Sequence, residues 1–99
     1  MRALRLDPYV LDTLMPDLVG HDRRPAAFVL YLLLWRRTQG AGERSATIAL
    51  EDLAELSGLS KRTVQASLRW LQSRRLVNVK RDGPTGVGRF VVLEPWKRG

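Results

Sequence analysis

Hydrophobic residues recur at helical spacing in the first part of the chain. Between residues 7 and 23 these recurring positions are Leu11, Leu14, Met15 and Leu18. Asp7-Pro8 is typical of a cap followed by a first-turn proline, whereas Pro16 interrupts the pattern because proline has no backbone N–H to donate. The pattern therefore predicts two short helical pieces.

The aspartates of this region lie five residues apart, which raises the question of a metal site. They are Asp7, Asp12, Asp17 and Asp22. Five residues rotate an α-helix by about 140°, so the four carboxylates are not expected to share a face. Because aspartate beside proline usually forms caps and turns, we predict no metal site here.

The apolar run at 26–35 predicts a central helix. Pro25 favours a helix start, and the helix is expected to extend from Ala26 to about Thr38. The run is about half of the roughly 20 residues needed to cross a bilayer, so we predict no membrane anchor. Because this helix has no polar face, either the N-terminal segment (residues 1–23) or a second subunit is expected to cover its far side.

Two further helices are predicted after a short strand at 46–50. The first spans Glu51–Leu56, ends at Ser57-Gly58, and is expected to bury Leu53, Ala54 and Leu56. The second spans 60–74 and is capped by Ser60. Its expected buried stripe, at spacings of three and four residues, is Val64, Ser67, Leu68 and Leu71.

After Arg75 the pattern of hydrophobic residues becomes typical of β-strands. Residues 76–80 and 89–93 are rich in β-branched and aromatic side chains and flank a loop with several glycines, which predicts an antiparallel hairpin. The fold class that follows is mainly α with a small β hairpin, or α+β.

The net charge of the chain indicates what kind of molecule it binds. The 99 residues carry 17 Lys and Arg against 10 Asp and Glu, for a net charge of +7. Residues 60–99 hold ten of the cations against Asp82 and Glu94, which gives this part +8. A polyanion is therefore the expected partner. With no cysteine, the chain offers no disulfide, thiolate metal site or cysteine nucleophile.

Two short helices joined by a tight turn and followed by a hairpin resemble a winged helix-turn-helix DNA-binding domain. The matching residues are Leu53-Ala54, Gly58, Ser60, Thr63-Val64, Leu68 and Leu71. Their pattern is similar to that of GntR-type bacterial regulators and plasmid replication initiators. The resemblance spans 48–93. For the whole sequence we predict three parts: 1–23, an N-terminal helical extension; 24–95, a winged helix-turn-helix domain; and 96–99, a basic tail. The resemblance also implies that a Ser or Thr cap usually stands at the position of Ala49 and a turn glycine at the position of Arg75. Because this sequence has neither, a weak helix cap and a strained turn are expected here.

The resemblance implies that the 60–74 helix enters a DNA major groove. Rotation by about 100° per residue puts Arg62, Gln65 and Arg69 opposite its buried stripe, with Lys61 at the edge. Lys61, Arg62 and Gln65 are the expected base readers, whereas Ser60, Thr63 and Arg69 are expected to contact phosphates. Lys80, Arg81 and Arg89 flank the hairpin loop, and the wing over 80–89 is expected on the DNA backbone or in the minor groove.

The sequence thus predicts a cytoplasmic, sequence-specific protein that binds double-stranded DNA and regulates transcription. It is expected to act as a homodimer through the 26–35 helix and the N-terminal segment, without a cofactor, metal or membrane. A replication or partition factor of a plasmid or phage, and a protein–protein interaction module, are the alternatives. An enzyme is not expected, because His21 is the only histidine and no catalytic motif accompanies it.

Overall fold

The computed structural model describes residues 3–81 and 87–97. After the N-terminal segment, the elements follow the order helix, strand, helix, helix, strand, strand. They are α1 (Pro25–Arg37), β1 (Ala46–Ile48), α2 (Leu50–Ser57), α3 (Lys61–Ser73), β2 (Val77–Arg81) and β3 (Gly88–Val92), with a 3₁₀ turn over Gln39–Ala41. The fold is mainly helical with a small antiparallel sheet, so the predicted α+β class is confirmed.

The sheet has three strands in the order β1-β3-β2. In the predicted hairpin Val77 lies opposite Val92, and Arg81 lies opposite Gly88. The short strand β1 also pairs with β3, with Ala46 opposite Phe90, so the sheet is larger than the hairpin expected from the sequence. β1 covers an edge of β3 that a lone hairpin would leave with unpaired backbone groups.

The core lies between α1, α3 and the inner face of the sheet. It contains Leu30, Leu34, Val64, Leu68, Leu71, Phe90 and Val92. The predicted stripe of α3 is confirmed, because all four of its residues are buried. The prediction for Leu56 is wrong: Leu53 of the same helix is fully buried, but Leu56 is 50% exposed. Leu56 is exposed because only one narrow side of the short α2 faces the core. Its side chain instead lines a shallow surface cleft with Arg37 and Ile48.

The N-terminal segment forms two short helical pieces, as predicted, but both are π-helical rather than α-helical. They span Val10–Leu14 and Pro16–His21. In this geometry a backbone N–H donates to the carbonyl five residues earlier, as Asp22 does to Asp17 at 2.8 Å. The buried side chains are Val10, Leu14 and Leu18, four residues apart, whereas Leu11 and Met15 remain exposed.

Three tryptophans hold the N-terminal segment on the core. Each indole N–H donates to it: Trp35 to the Arg5 carbonyl at 2.7 Å, Trp70 to Asp22 Oδ2 at 2.9 Å, and Trp96 to Asp7 Oδ2 at 3.2 Å. The ring of Trp96 also stacks on Tyr9, with centroids 4.5 Å apart. The three tryptophans therefore pack the N-terminal segment against the core.

Packing within one chain covers most of α1. The N-terminal segment, α2, α3 and β3 all contact it, and its buried residues are Ala27, Phe28, Leu30, Tyr31, Leu34 and Trp35. Val29 stays 41% exposed on the outer side. Of the helices in the described ranges, none has the length and apolar character needed to cross a membrane.

Candidate nucleic-acid interface

The turn between α2 and α3 fixes where α3 begins. Gly58 ends α2 with φ 78°, a left-handed conformation that glycine adopts without a Cβ clash. Ser60 then caps α3: its Oγ accepts the Thr63 N–H at 3.1 Å and donates to Thr63 Oγ1 at 2.9 Å. Both hydroxyls predicted to contact phosphate thus help to form the cap. The Thr63 hydroxyl hydrogen is still free to donate outward.

The face of α3 opposite the core carries the predicted recognition residues. Arg62, Gln65 and Arg69 are all exposed, as is Lys61 at the edge. Lys61 Nζ lies 3.4 Å from Glu51 Oε1 on α2, and both side chains are largely exposed. Such a surface pair contributes only about 0.2–1 kcal/mol, so an anion can readily replace Glu51 as the partner of Lys61.

A groove between the start of α1 and the start of α3 extends this face. We call it the arginine groove: it encloses about 360 Å³, and Arg23, Arg24 and Arg62 line it with Thr63 and small residues. None of its described lining residues is acidic. Arg23 and Arg24 were not predicted as site residues, because they are about 40 positions from Arg62 and only the fold brings them together. The available signal was an Arg-Arg pair directly before a helix-opening proline.

A cluster of polar side chains fixes the N-terminal segment against the end of α3. Arg74 donates to Asp22 Oδ2 at 2.7 Å and also pairs with Asp17. Trp70 donates to the same Asp22 oxygen, and Arg24 lies 4.4 Å above the Trp70 ring. This cluster, which we call the Asp22 cluster, therefore also positions Arg24 in the arginine groove.

The expectation that the aspartates would not share a face is wrong for Asp17 and Asp22. It assumed an α-helix, whereas the π-helical i to i+5 bond stacks residue 22 nearly above residue 17. Their carboxylates and the His21 ring offer ligand atoms within 4.8 Å of one another. Arg74 pairs with both carboxylates, so an ion pair already holds them side by side.

Burial and hydrogen bonding act in opposite directions on Asp22. Its side chain is 4% exposed, and burial alone would raise its pKa. Hydrogen bonds from His21 and Trp70, together with the charge of Arg74, outweigh burial and hold the pKa of Asp22 below its ordinary value of 3.8. Hydrogen bonding to Asp17 likewise raises the pKa of Arg74. Asp22 is therefore a carboxylate whose charge stabilises the folded state.

The predicted wing residues lie on exposed parts of the hairpin. Lys80 on β2 is directly opposite Arg89 on β3, and Arg81 is opposite Gly88. The loop residues 82–86 of the wing prediction lie outside the described residues. Lys80 and Arg89 line one cavity, whereas Arg62 and Thr63 of α3 line another.

Two local expectations are confirmed. Ala49 precedes α2 in an extended conformation and gives no side-chain hydrogen bond to the helix start. Arg75, where a turn glycine was expected, has φ 57°, a conformation that costs a residue with a Cβ about 1–2 kcal/mol.

No family model matches this chain, and neither a curated protein nor a solved structure matches it.

Proposed function

We propose that this protein binds double-stranded DNA sequence-specifically through a winged helix-turn-helix domain and regulates transcription by occupying its site. The observation that carries the proposal is the arginine groove, which brings Arg23 and Arg24 beside the exposed recognition face of α3. The element order, with a tight turn before α3 and a hairpin after it, also supports this fold.

The chemistry of the α3 face suits the edges of base pairs. A helix fits the major groove, about 12 Å wide, where arginine or lysine binds guanine and glutamine binds adenine. Lys61, Arg62 and Gln65, on the first turns of α3, are the proposed base readers. Each good pair contributes about 1–3 kcal/mol of discrimination.

The surrounding groups suit the phosphate backbone. Ser60, Thr63 and Arg69 are proposed phosphate contacts, and Arg23 and Arg24 extend this set past the start of α1. On the hairpin, Lys80, Arg81 and Arg89 are proposed to contact the backbone or minor groove.

Replacement of Arg62 tests the proposal directly. We expect Arg62→Ala to reduce the affinity for the preferred duplex about 5- to 150-fold relative to random duplex, as loss of one base contact implies. Arg36→Ala is the matched control, because Arg36 is exposed at the other end of α1. Equal losses on preferred and random duplex, or no loss on either, would refute the placement of α3 in the groove.

A further inference from the structure

A second basic cleft lies on the outer face of the sheet. Side chains alternate along the strands, so Phe90 and Val92 point to the core, whereas Arg89 and Val91 face outward. The cleft over this outer face encloses about 370 Å³. We call it the sheet cleft; its lining residues are Arg44, Ser45, Asn78, Lys80, Arg89 and Val91.

The placement of charge in the sheet cleft is unfavourable without a ligand. Lys80 and Arg89 are direct cross-strand partners, and like charges opposite each other destabilise a sheet. Arg44, in the loop before β1, adds a third positive charge to the same cleft. Across residues 3–81 and 87–97, none of these three side chains pairs with a carboxylate. A bound anion would offset this repulsion.

The donors of the cleft suit an oxyanion such as phosphate. Two guanidinium groups present planar forks of N–H donors, which match the oxygens of phosphate, and Lys80 adds a compact ammonium charge. The Asn78 amide and the Ser45 hydroxyl offer neutral donors beside them. The volume lies within the range of about 300–1,000 Å³ typical of small-molecule sites.

We propose that the sheet cleft binds phosphate groups, with Arg44 as a ligand-binding residue beside Lys80 and Arg89. The phosphates belong either to a nucleic-acid backbone or to a free oligophosphate. Lys80 and Arg89 also belong to the hairpin contacts of the proposed function, so this proposal rests in part on that function. Arg44 belongs to neither the α3 set nor the hairpin set, so its replacement tests the sheet cleft separately.

Calorimetric titration with inorganic tripolyphosphate at about physiological salt tests the site on the full chain. We expect saturable binding to the unaltered protein and to the control Arg36→Ala, and at least a tenfold weaker affinity in Arg44→Ala. Arg44 is exposed in a loop, and unchanged thermal melting of Arg44→Ala will show that the fold is retained.

A duplex titration across salt concentrations distinguishes the two sources of phosphate. If Arg44→Ala lowers the steepness of the log-log salt dependence by about 0.9, the ligand is a DNA backbone phosphate. If that slope is unchanged while tripolyphosphate binding depends on Arg44, the ligand is a free oligophosphate. The proposal is overturned if Arg44→Ala alters neither measurement. Arg44-dependent tripolyphosphate binding by a protein that never binds duplex would refute the proposed function and leave the sheet cleft intact.

Discussion

Ala49 and Arg75 are single positions where the backbone lacks its best residue. Ala49 leaves the start of α2 without a side-chain cap, and Arg75 adopts a left-handed conformation after α3. Both were predictable from the sequence, because the resemblance assigns a hydroxyl residue and a glycine to these positions. Residue-scale features of this kind depend on local conformation, which a local motif specifies well.

Ala49→Ser is expected to stabilise the protein by about 0.5–1 kcal/mol. Ala49 already has the extended backbone of a cap residue, so a serine Oγ can accept an N–H of the first turn of α2. Urea unfolding measures the change. Ala41→Ser, at an exposed alanine away from any helix start of this kind, should leave the midpoint unchanged. An unaltered or lower stability of Ala49→Ser would contradict the cap assignment.

Asp22 is expected to make folding sensitive to acid. Its pKa is depressed in the folded state, so the unfolded chain binds more protons at low pH, and stability falls as the pH drops from about 3.8 through the folded pKa. Asp22→Asn should be less stable than the unaltered protein at pH 7 and should lose less stability on acidification.

Urea unfolding at pH 7 and pH 3 measures both effects. The matched control is Asp12→Asn, which changes an exposed aspartate of the same N-terminal segment. If Asp22→Asn and Asp12→Asn behave alike, the Asp22 cluster does not contribute the stability described here.

At the scale of elements, hydropathy predicted the position of every helix and strand after residue 24 to within about two residues. It failed where an element's type or partner depended on the rest of the fold. The π-helical geometry of 10–21 brings Asp17 and Asp22 together, which an α-helical wheel excludes. The pairing of β1 with β3 is equally non-local, because a three-residue strand carries no signal for its partner.

The hairpin and α3 are expected to contribute differently to DNA binding. Arg81→Ala and Arg89→Ala should weaken binding to all duplex sequences alike and reduce the steepness of the salt dependence by about 1 each, because backbone contacts carry no base information. Arg62→Ala should instead reduce discrimination between sequences. Titrations of preferred and random duplex measure both effects, and identical behaviour of the three variants would contradict this division of roles.

At the scale of the whole molecule, the N-terminal segment completes the candidate site. The three indole hydrogen bonds and the Asp22 cluster fix it to the core, and the chain that continues from it brings Arg23 and Arg24 to α3. The sequence predicted the outward face of α3 but not the arginine groove, because the groove joins residues distant along the chain. Large apolar side chains left exposed on the N-terminal segment and α1 are Leu4, Leu11, Met15, Val19 and Val29.

Because these apolar side chains are exposed, we still predict a homodimer that pairs through the N-terminal segment and α1. Two-fold pairing would place two α3 helices on half-sites about 34 Å apart and double the DNA contacts. Light scattering at micromolar concentration, with and without duplex, should give twice the chain mass, and Val19→Asp should reduce it. The matched control is Thr13→Asp, at an exposed polar position of the same segment. A monomer under both conditions would contradict the dimer.

The salt dependence of duplex binding tests the central claim, that the basic surface around α3 binds double-stranded DNA. Release of counterions from about six phosphates predicts a log-log slope of the association constant near −5. Equilibrium titration of the full chain with a fluorescent duplex over a series of salt concentrations measures that slope. A slope near −5 is the predicted result, whereas a flat dependence, or no association even in dilute buffer, would contradict the account.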